Sequence, residues 1–252
     1  MNANPGYRFP HLRLGLIGYP IAHSQSPALF QAYCPYDLIE TPTFEAGFQQ
    51  FLAGDYYAVN VTAPFKAAAY HHADFADDAA SLFQAANLLI KEKESIKAYN
   101  TDYIAVRTLL QQHLPKPGTI LVLGYGGAGK AAAAAASHLG HRVWIANRTT
   151  QHIPPFSAEL LSLSEAAQRY PLADCIIQAL PTQAYTHPEV ASIPQWKFSN
   201  QLILEANYAH PLLAHLATEA KENAPRYLGG RLWLSAQAQP LIDRILQENT
   251  VY

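Results

Sequence analysis

Thr119-Ile120-Leu121-Val122-Leu123-Gly124-Tyr125-Gly126-Gly127-Ala128-Gly129-Lys130 is the stretch whose reading decides the fold. A short apolar run stops at a G-x-G-x-x-G turn, and a helix is predicted from Lys130 to Leu139, followed by a strand from Arg142 to Ala146. That is a complete βαβ unit. Its glycines permit a tight turn and close backbone approach, and the helix start offers unpaired N–H groups to a pyrophosphate. Ala131 to Ala136 are all alanine, small enough for the helix to lie close on its sheet. At the end of the second strand, where an NAD enzyme places an acid about twenty residues past the glycines, this chain has Asn147-Arg148-Thr149. A guanidinium suits a 2′-phosphate, so NADP is expected over NAD.

Outward from this unit the alternation continues. Leu160 to Tyr170 reads as a helix, Asp174 to Ala179 and Leu202 to Glu205 as strands, and Leu212 to Asn223 and Pro240 to Glu248 as helices by apolar spacing. Upstream, Pro115-Lys116-Pro117-Gly118 ends a helix expected over Tyr103 to Leu114. Before it come strands over Leu12 to Tyr19, Asp37 to Glu45 and Tyr56 to Thr62, with a helix over Gly47 to Leu52 between the last two. Ser26-Pro27 offers a cap and a first-turn proline for a helix through Ala28 to Tyr33. Asn87 to Ile90 and Ser95 to Tyr99 read as a hairpin across the charged stretch Lys91 to Glu94. Strands alternating with helices call for mostly parallel sheets. The fold class expected is therefore α/β: a substrate domain at residues 1–106, joined by 236–252, and a Rossmann-type dinucleotide-binding domain at 107–235, with a cleft between them.

Bulk composition narrows the function. The chain has 252 residues, half of them hydrophobic and 14% charged, which is enough for two cores and excludes a disordered chain. A formal net charge of -2 without a basic run gives no electrostatic case for nucleic acid or anionic membrane. Cys34 and Cys175 have neither paired nor metal-type spacing, and His71-His72 lacks neighbouring ligands, so buried thiols, a reducing compartment and no metal are expected. Met1 to His11 has no signal-peptide pattern and no apolar run is long enough to span a bilayer, so a cytoplasmic location is expected.

Two polar groups carry the chemistry. Lys66 in Asn60-Val61-Thr62-Ala63-Pro64-Phe65-Lys66 and Asp102 in Asn100-Thr101-Asp102 stand at predicted element ends, where a cation and a carboxylate together handle one proton. Ser24 and Ser26, at alternate positions beside a helix start, can converge on a substrate carboxylate, although the spacing alone also fits a cap and a loop hydroxyl.

Taken in order, Pro20-Ile21-Ala22-His23-Ser24-Gln25-Ser26-Pro27, the Asn60 to Lys66 phrase, Asn100-Thr101-Asp102, the glycine turn, Asn147-Arg148-Thr149 and Gln237-Ala238 resemble the shikimate dehydrogenase family over nearly the whole chain. The resemblance implies NADPH-dependent reduction of 3-dehydroshikimate to shikimate, in aromatic amino acid biosynthesis. It implies that Ser24 and Ser26 bind the substrate carboxylate and that Thr62, Asn87, Tyr208 and Gln237 surround the substrate. Lys66 and Asp102 would act at the reacting carbon. Gly124, Gly126, Gly127, Ala128, Asn147, Arg148 and Thr149 would hold NADP. Several positions depart from the family pattern: Ala105 replaces a usual glycine, Leu88 a usual threonine, Cys175 to Thr182 lacks Asn-Ala-Thr, and Trp233 stands where methionine is common. A quinate dehydrogenase of the same family and a catalytically silent nucleotide-binding regulator are the alternatives. The oligomer is expected to be a monomer or homodimer.

Overall fold

The computed structural model describes residues 6–148, 154–218 and 222–249. The chain divides into two compact units, one of Met1–Thr101 with Ala238–Tyr252 and one of Asp102–Gln237.

In the first unit the chain runs β1 (Leu14–Gly18), α1 (Ser26–Phe30), β2 (Tyr36–Glu40), α2 (Phe44–Ala53), β3 (Ala58–Val61), α3 (Lys66–His71), β4 (Phe75–Ala76), α4 (Asp78–Phe83), β5 (Leu88–Glu92) and β6 (Ser95–Tyr99). These strands form one sheet in the order β2-β1-β3-β5-β6-β4. β1 pairs in parallel with both β2 and β3, whereas β5 is antiparallel to β3 and β6. Every residue of β1 and β3 is buried, the pattern of strands covered on both faces. α2 starts where the Thr43 hydroxyl accepts the Ala46 N–H, and Phe44, Phe48 and Phe51 turn inward onto Ile17, Val59 and Val61. Each such side chain contributes about 1.5–3 kcal/mol by leaving water. On the other side Ala238, Leu241, Ile242 and Ile245, from the carboxyl-terminal helix, close over Phe9, Leu14, Phe30 and Leu88.

The chain passes into the second unit within α5 (Thr101–His113) and continues β7 (Thr119–Leu123), α6 (Gly127–His138), β8 (Arg142–Ala146), β9 (Glu159–Leu161), α7 (Leu163–Arg169), β10 (Cys175–Gln178), α8 (Pro188–Ala191), β11 (Leu202–Glu205), β12 (Arg226–Leu228) and α9 (Gly230–Asn249), whose residues from Ala238 onward return to the first unit. The strand order is β12-β11-β10-β7-β8-β9, parallel at every pairing. The winding reverses between β7 and β10, and open α/β sheets bind their ligands outside the carboxyl ends of the strands at such a point. Here that end of β7 leads directly into the glycine turn. The six alanines from Ala131 to Ala136 are fully buried, so the helix lies against the sheet as expected.

Four local expectations change. The strand expected over Asp37 to Glu45 ends at Glu40, because Thr43 caps a helix that already holds Phe44 and Glu45. The segment from Leu160 does not begin as a helix: Glu159–Leu161 pairs with β8, and α7 starts only after Ser162, whose side chain and Glu165 form a reciprocal capping box. Of the helix expected over Leu212 to Asn223, the described part forms a 3₁₀ turn, Ala214–Thr218, and residues 219–221 lie outside the described residues. The last helix begins at Gly230, ten residues before Pro240, and carries that proline inside it.

Candidate active site

The first unit supplies one group of candidate side chains. Ser24 Oγ accepts the Ser26 N–H at 3.2 Å, which fixes the Ser24 side chain while leaving its own O–H to donate. Ser26 is not the helix cap: it is the first residue of α1 and buried, and Gln25 at the cap position makes no side-chain capping bond. Its loop is tied down by Glu40, at the end of β2, which accepts the Ile21 N–H at 2.7 Å.

Lys66 is set by a second turn. Thr62 continues β3 by donating its N–H to Ile17 O at 3.0 Å, and Phe65 N–H closes back on Thr62 O at 3.0 Å. The Phe65 ring is buried against Phe44, 6.1 Å between centroids. The next residue, half-buried Lys66, therefore starts α3 at a defined place. Its carbonyl accepts the Ala86 N–H at 2.8 Å, tying it to the segment that leads into Asn87.

Asn87 is 3% exposed. Its Oδ1 accepts the Thr101 N–H at 2.7 Å, and its Nδ2 donates to Thr101 Oγ1 at 3.0 Å. The side chain thus caps the start of α5, and the first residue it releases is Asp102. Asn60, on β3, accepts from Tyr36 OH at 3.0 Å and donates to Asn87 O at 3.4 Å, which holds Asn87 from below.

The second unit supplies the other group. Asp102 lies in the first turn of α5, where the helix dipole favours a carboxylate; it is 3% exposed. The indole Nε1–H of buried Trp233 donates to Asp102 Oδ1 at 3.1 Å. Tyr208 is half-buried on the loop after β11. Asn207 Oδ1 accepts the Ala209 and His210 N–H groups, 3.1 and 3.0 Å. Glu205, fully buried, accepts the N–H groups of Leu212 and Leu213, both at 2.9 Å. Burial pushes the Glu205 carboxyl above its ordinary value against these bonds. A Cβ on Gly230 would stand 2.6 Å from Tyr208 N, so only glycine lets α9 start against this loop. Gln237 follows Trp233 by one helical turn and shares its face.

The nucleotide turn fits a dinucleotide. Gly124 has φ +92, and a Cβ on Gly129 would overlap Gly124 O, so neither position tolerates a side chain. A Cβ on Gly126 would meet open space, and α6 begins without a side-chain cap, so no capping side chain takes the first N–H groups of the helix, the groups that suit an anion. Asn147 and exposed Arg148 follow β8; Thr149 lies outside the described residues. Among the described residues no three side chains are grouped to hold a metal ion, and no helix is long and apolar enough to cross a membrane.

A parallel sheet of reversed winding with an open glycine turn in one unit, and a lysine and paired serines in the other, are the features of a dinucleotide-dependent enzyme class. Comparison with known proteins narrows the class. The family profile described as the shikimate dehydrogenase substrate binding domain matches residues 16–89. The shikimate dehydrogenase (NADP(+)) of Bacillus licheniformis is 32% identical over 200 residues, 71% of each chain. That of Natronomonas pharaonis is 33% identical over 224 residues, 82% of each. A Thermus thermophilus shikimate 5-dehydrogenase, solved in complex with NADP(H) and shikimate, superposes with TM-score 0.76 at 25% identity over 94% of both chains. The chain belongs to the shikimate dehydrogenase family.

Sequence reasoning missed three functional supports. The Trp233 bond to Asp102 had one usable signal, since a buried indole must find an acceptor. Asn87 as a cap and Glu205 as a loop anchor had none, because both depend on partners distant in sequence.

Proposed function

We propose that this chain catalyses the reversible NADPH-dependent reduction of 3-dehydroshikimate to shikimate, with Lys66 and Asp102 at the reacting carbon. The observation that carries the reading is the fixed placement of Lys66 at the head of α3, tied through Ala86 to the Asn87 segment that also caps the helix bearing Asp102. When bound, NADPH supplies the hydride that goes to the substrate carbonyl carbon. Lys66 Nζ stabilises the charge developing on the carbonyl oxygen and gives it a proton; in the reverse direction it receives that proton. Asp102 accepts from the adjacent substrate hydroxyl and keeps the ammonium aimed. Ser24 and Ser26 donate to the substrate carboxylate, and Thr62, Asn87, Tyr208 and Gln237 complete the polar lining. Gly124, Gly126, Gly127 and Ala128 cradle the pyrophosphate, while Asn147, Arg148 and Thr149 receive the adenosine end, with the Arg148 guanidinium on the 2′-phosphate.

Support comes from the family membership and from the agreement of each residue type with its task. The test is oxidation by the purified protein of shikimate or quinate, each with NADP or NAD. Fastest reduction of NADP by shikimate is expected; turnover confined to quinate, or none with either acid, would sink the reading.

A further inference from the structure

Trp233 Nε1 stands 3.1 Å from Asp102 Oδ1, and both residues are nearly inaccessible, 4% and 3% exposed. An indole N–H given to a buried carboxylate is a charge-assisted bond, roughly twice as strong as one between neutral groups. The ring also packs in the cluster that contains Ala105 and Val106, the turn of α5 that follows Asp102. On its own helix Trp233 sits one turn before Gln237. One rigid side chain therefore touches the carboxylate directly and shares a helix face with a residue of the substrate lining.

We propose that Trp233 is a positioning residue of the catalytic apparatus: its indole N–H selects the rotamer of the Asp102 carboxylate and holds the first turns of α5 and α9 in register. The proposal rests on the reading of Asp102 given above and adds a specific dependence to it. Trp233→Phe keeps an aromatic ring in the cluster, though a smaller one, and removes the donor to Oδ1. That loss falls on the step in which Asp102 acts, not on cofactor binding.

The test uses the full chain and three variants, W233F, D102N and the double variant. Removing a hydrogen bond to a charged group lowers kcat for shikimate oxidation about tenfold or more in W233F, with KM for NADP within about twofold, since uniform binding is untouched. In the D102N background W233F has a smaller effect, because the charge-assisted part of the bond it breaks is already gone. A structural readout stands apart from activity. The chain has three tryptophans, whose indole N–H signals are assigned by single Phe substitutions, and D102N moves the Trp233 signal while those of Trp144 and Trp196 stay. Should W233F turn over shikimate at the parent rate beside a crippled D102N, the Trp233 assignment is overturned alone. Equal losses from W233F in both backgrounds overturn it as well, since packing alone would then explain the effect. If D102N itself keeps the parent rate, the role of Asp102 falls, and the indole signal still reports whether the bond exists.

Discussion

Asn87 holds Thr101 at two points, Oδ1 on its backbone N–H and Nδ2 on its hydroxyl, 2.7 and 3.0 Å. The two bonds join the residue before β5 to the first residue of α5. Replacing Asn87 by Ala leaves the buried Thr101 N–H without its acceptor. That costs about 1–3 kcal/mol, readable as a lower urea midpoint with an unchanged m-value. An unaltered midpoint would show that the cap is dispensable.

Asp77 gives a pH signature. Its carboxyl accepts the Ala80 N–H at 2.7 Å as the cap of α4, and burial raises its pKa above the ordinary value despite backbone bonds from Ala80 and Asn100. A raised carboxyl binds its proton more tightly in the folded state. Its favourable contribution is therefore complete below the unfolded value and is lost as pH rises through the folded one. Asp77→Asn keeps a good cap and removes the ionisation. Relative to the parent it is most favourable at neutral pH, and the gap narrows as pH falls into the carboxyl range. Urea midpoints across that range check this; a gap that widens towards acid would contradict it.

Arg148 decides the cofactor. Its exposed guanidinium follows β8, and a 2′-phosphate offers it paired acceptors. Arg148→Ala is expected to raise KM for NADP by about tenfold or more, the worth of a charge-assisted bond, with KM for NAD nearly constant. An equal rise for both would remove the 2′-phosphate assignment.

Glu205 anchors the loop that bears Tyr208 through the Leu212 and Leu213 N–H groups. Glu205→Ala leaves the Leu212 and Leu213 N–H groups and the Tyr227 hydroxyl without this acceptor, at about 1–3 kcal/mol for a buried donor, and frees the loop. Thermal melting is expected to fall, and KM for shikimate to rise more than KM for NADP. Equal rises in the two would place the loop away from the substrate.

Much of this architecture was legible in local pattern. The run Thr119 to Leu123, the glycines and the alanine helix are each decided by neighbouring residues, and the structure forms them within a residue or a few. The hairpin of β5 and β6 was equally plain, with charged Lys91 to Glu94 between two apolar runs. What local pattern missed was tertiary. Leu160 and Leu161 fit a helix by spacing, and only pairing with β8 makes them a strand. Glu205, at a strand end, takes the Leu212 and Leu213 N–H groups, a contact between residues that no local pattern pairs. Of the candidate site, residue types and order were readable, whereas the caps and anchors that aim them, Asn87, Glu205 and Trp233, required the fold.

The central claim is that Lys66 serves the reacting oxygen. Its most direct test is kcat for NADP reduction by shikimate in Lys66→Ala beside the parent chain, with melting temperatures measured on both. The account predicts a fall of about a thousandfold, the scale of removing a group aimed at a developing oxyanion, with the melting temperature nearly unchanged. Turnover within about threefold of the parent, a difference too small for a lost acid or charge stabiliser, would contradict it.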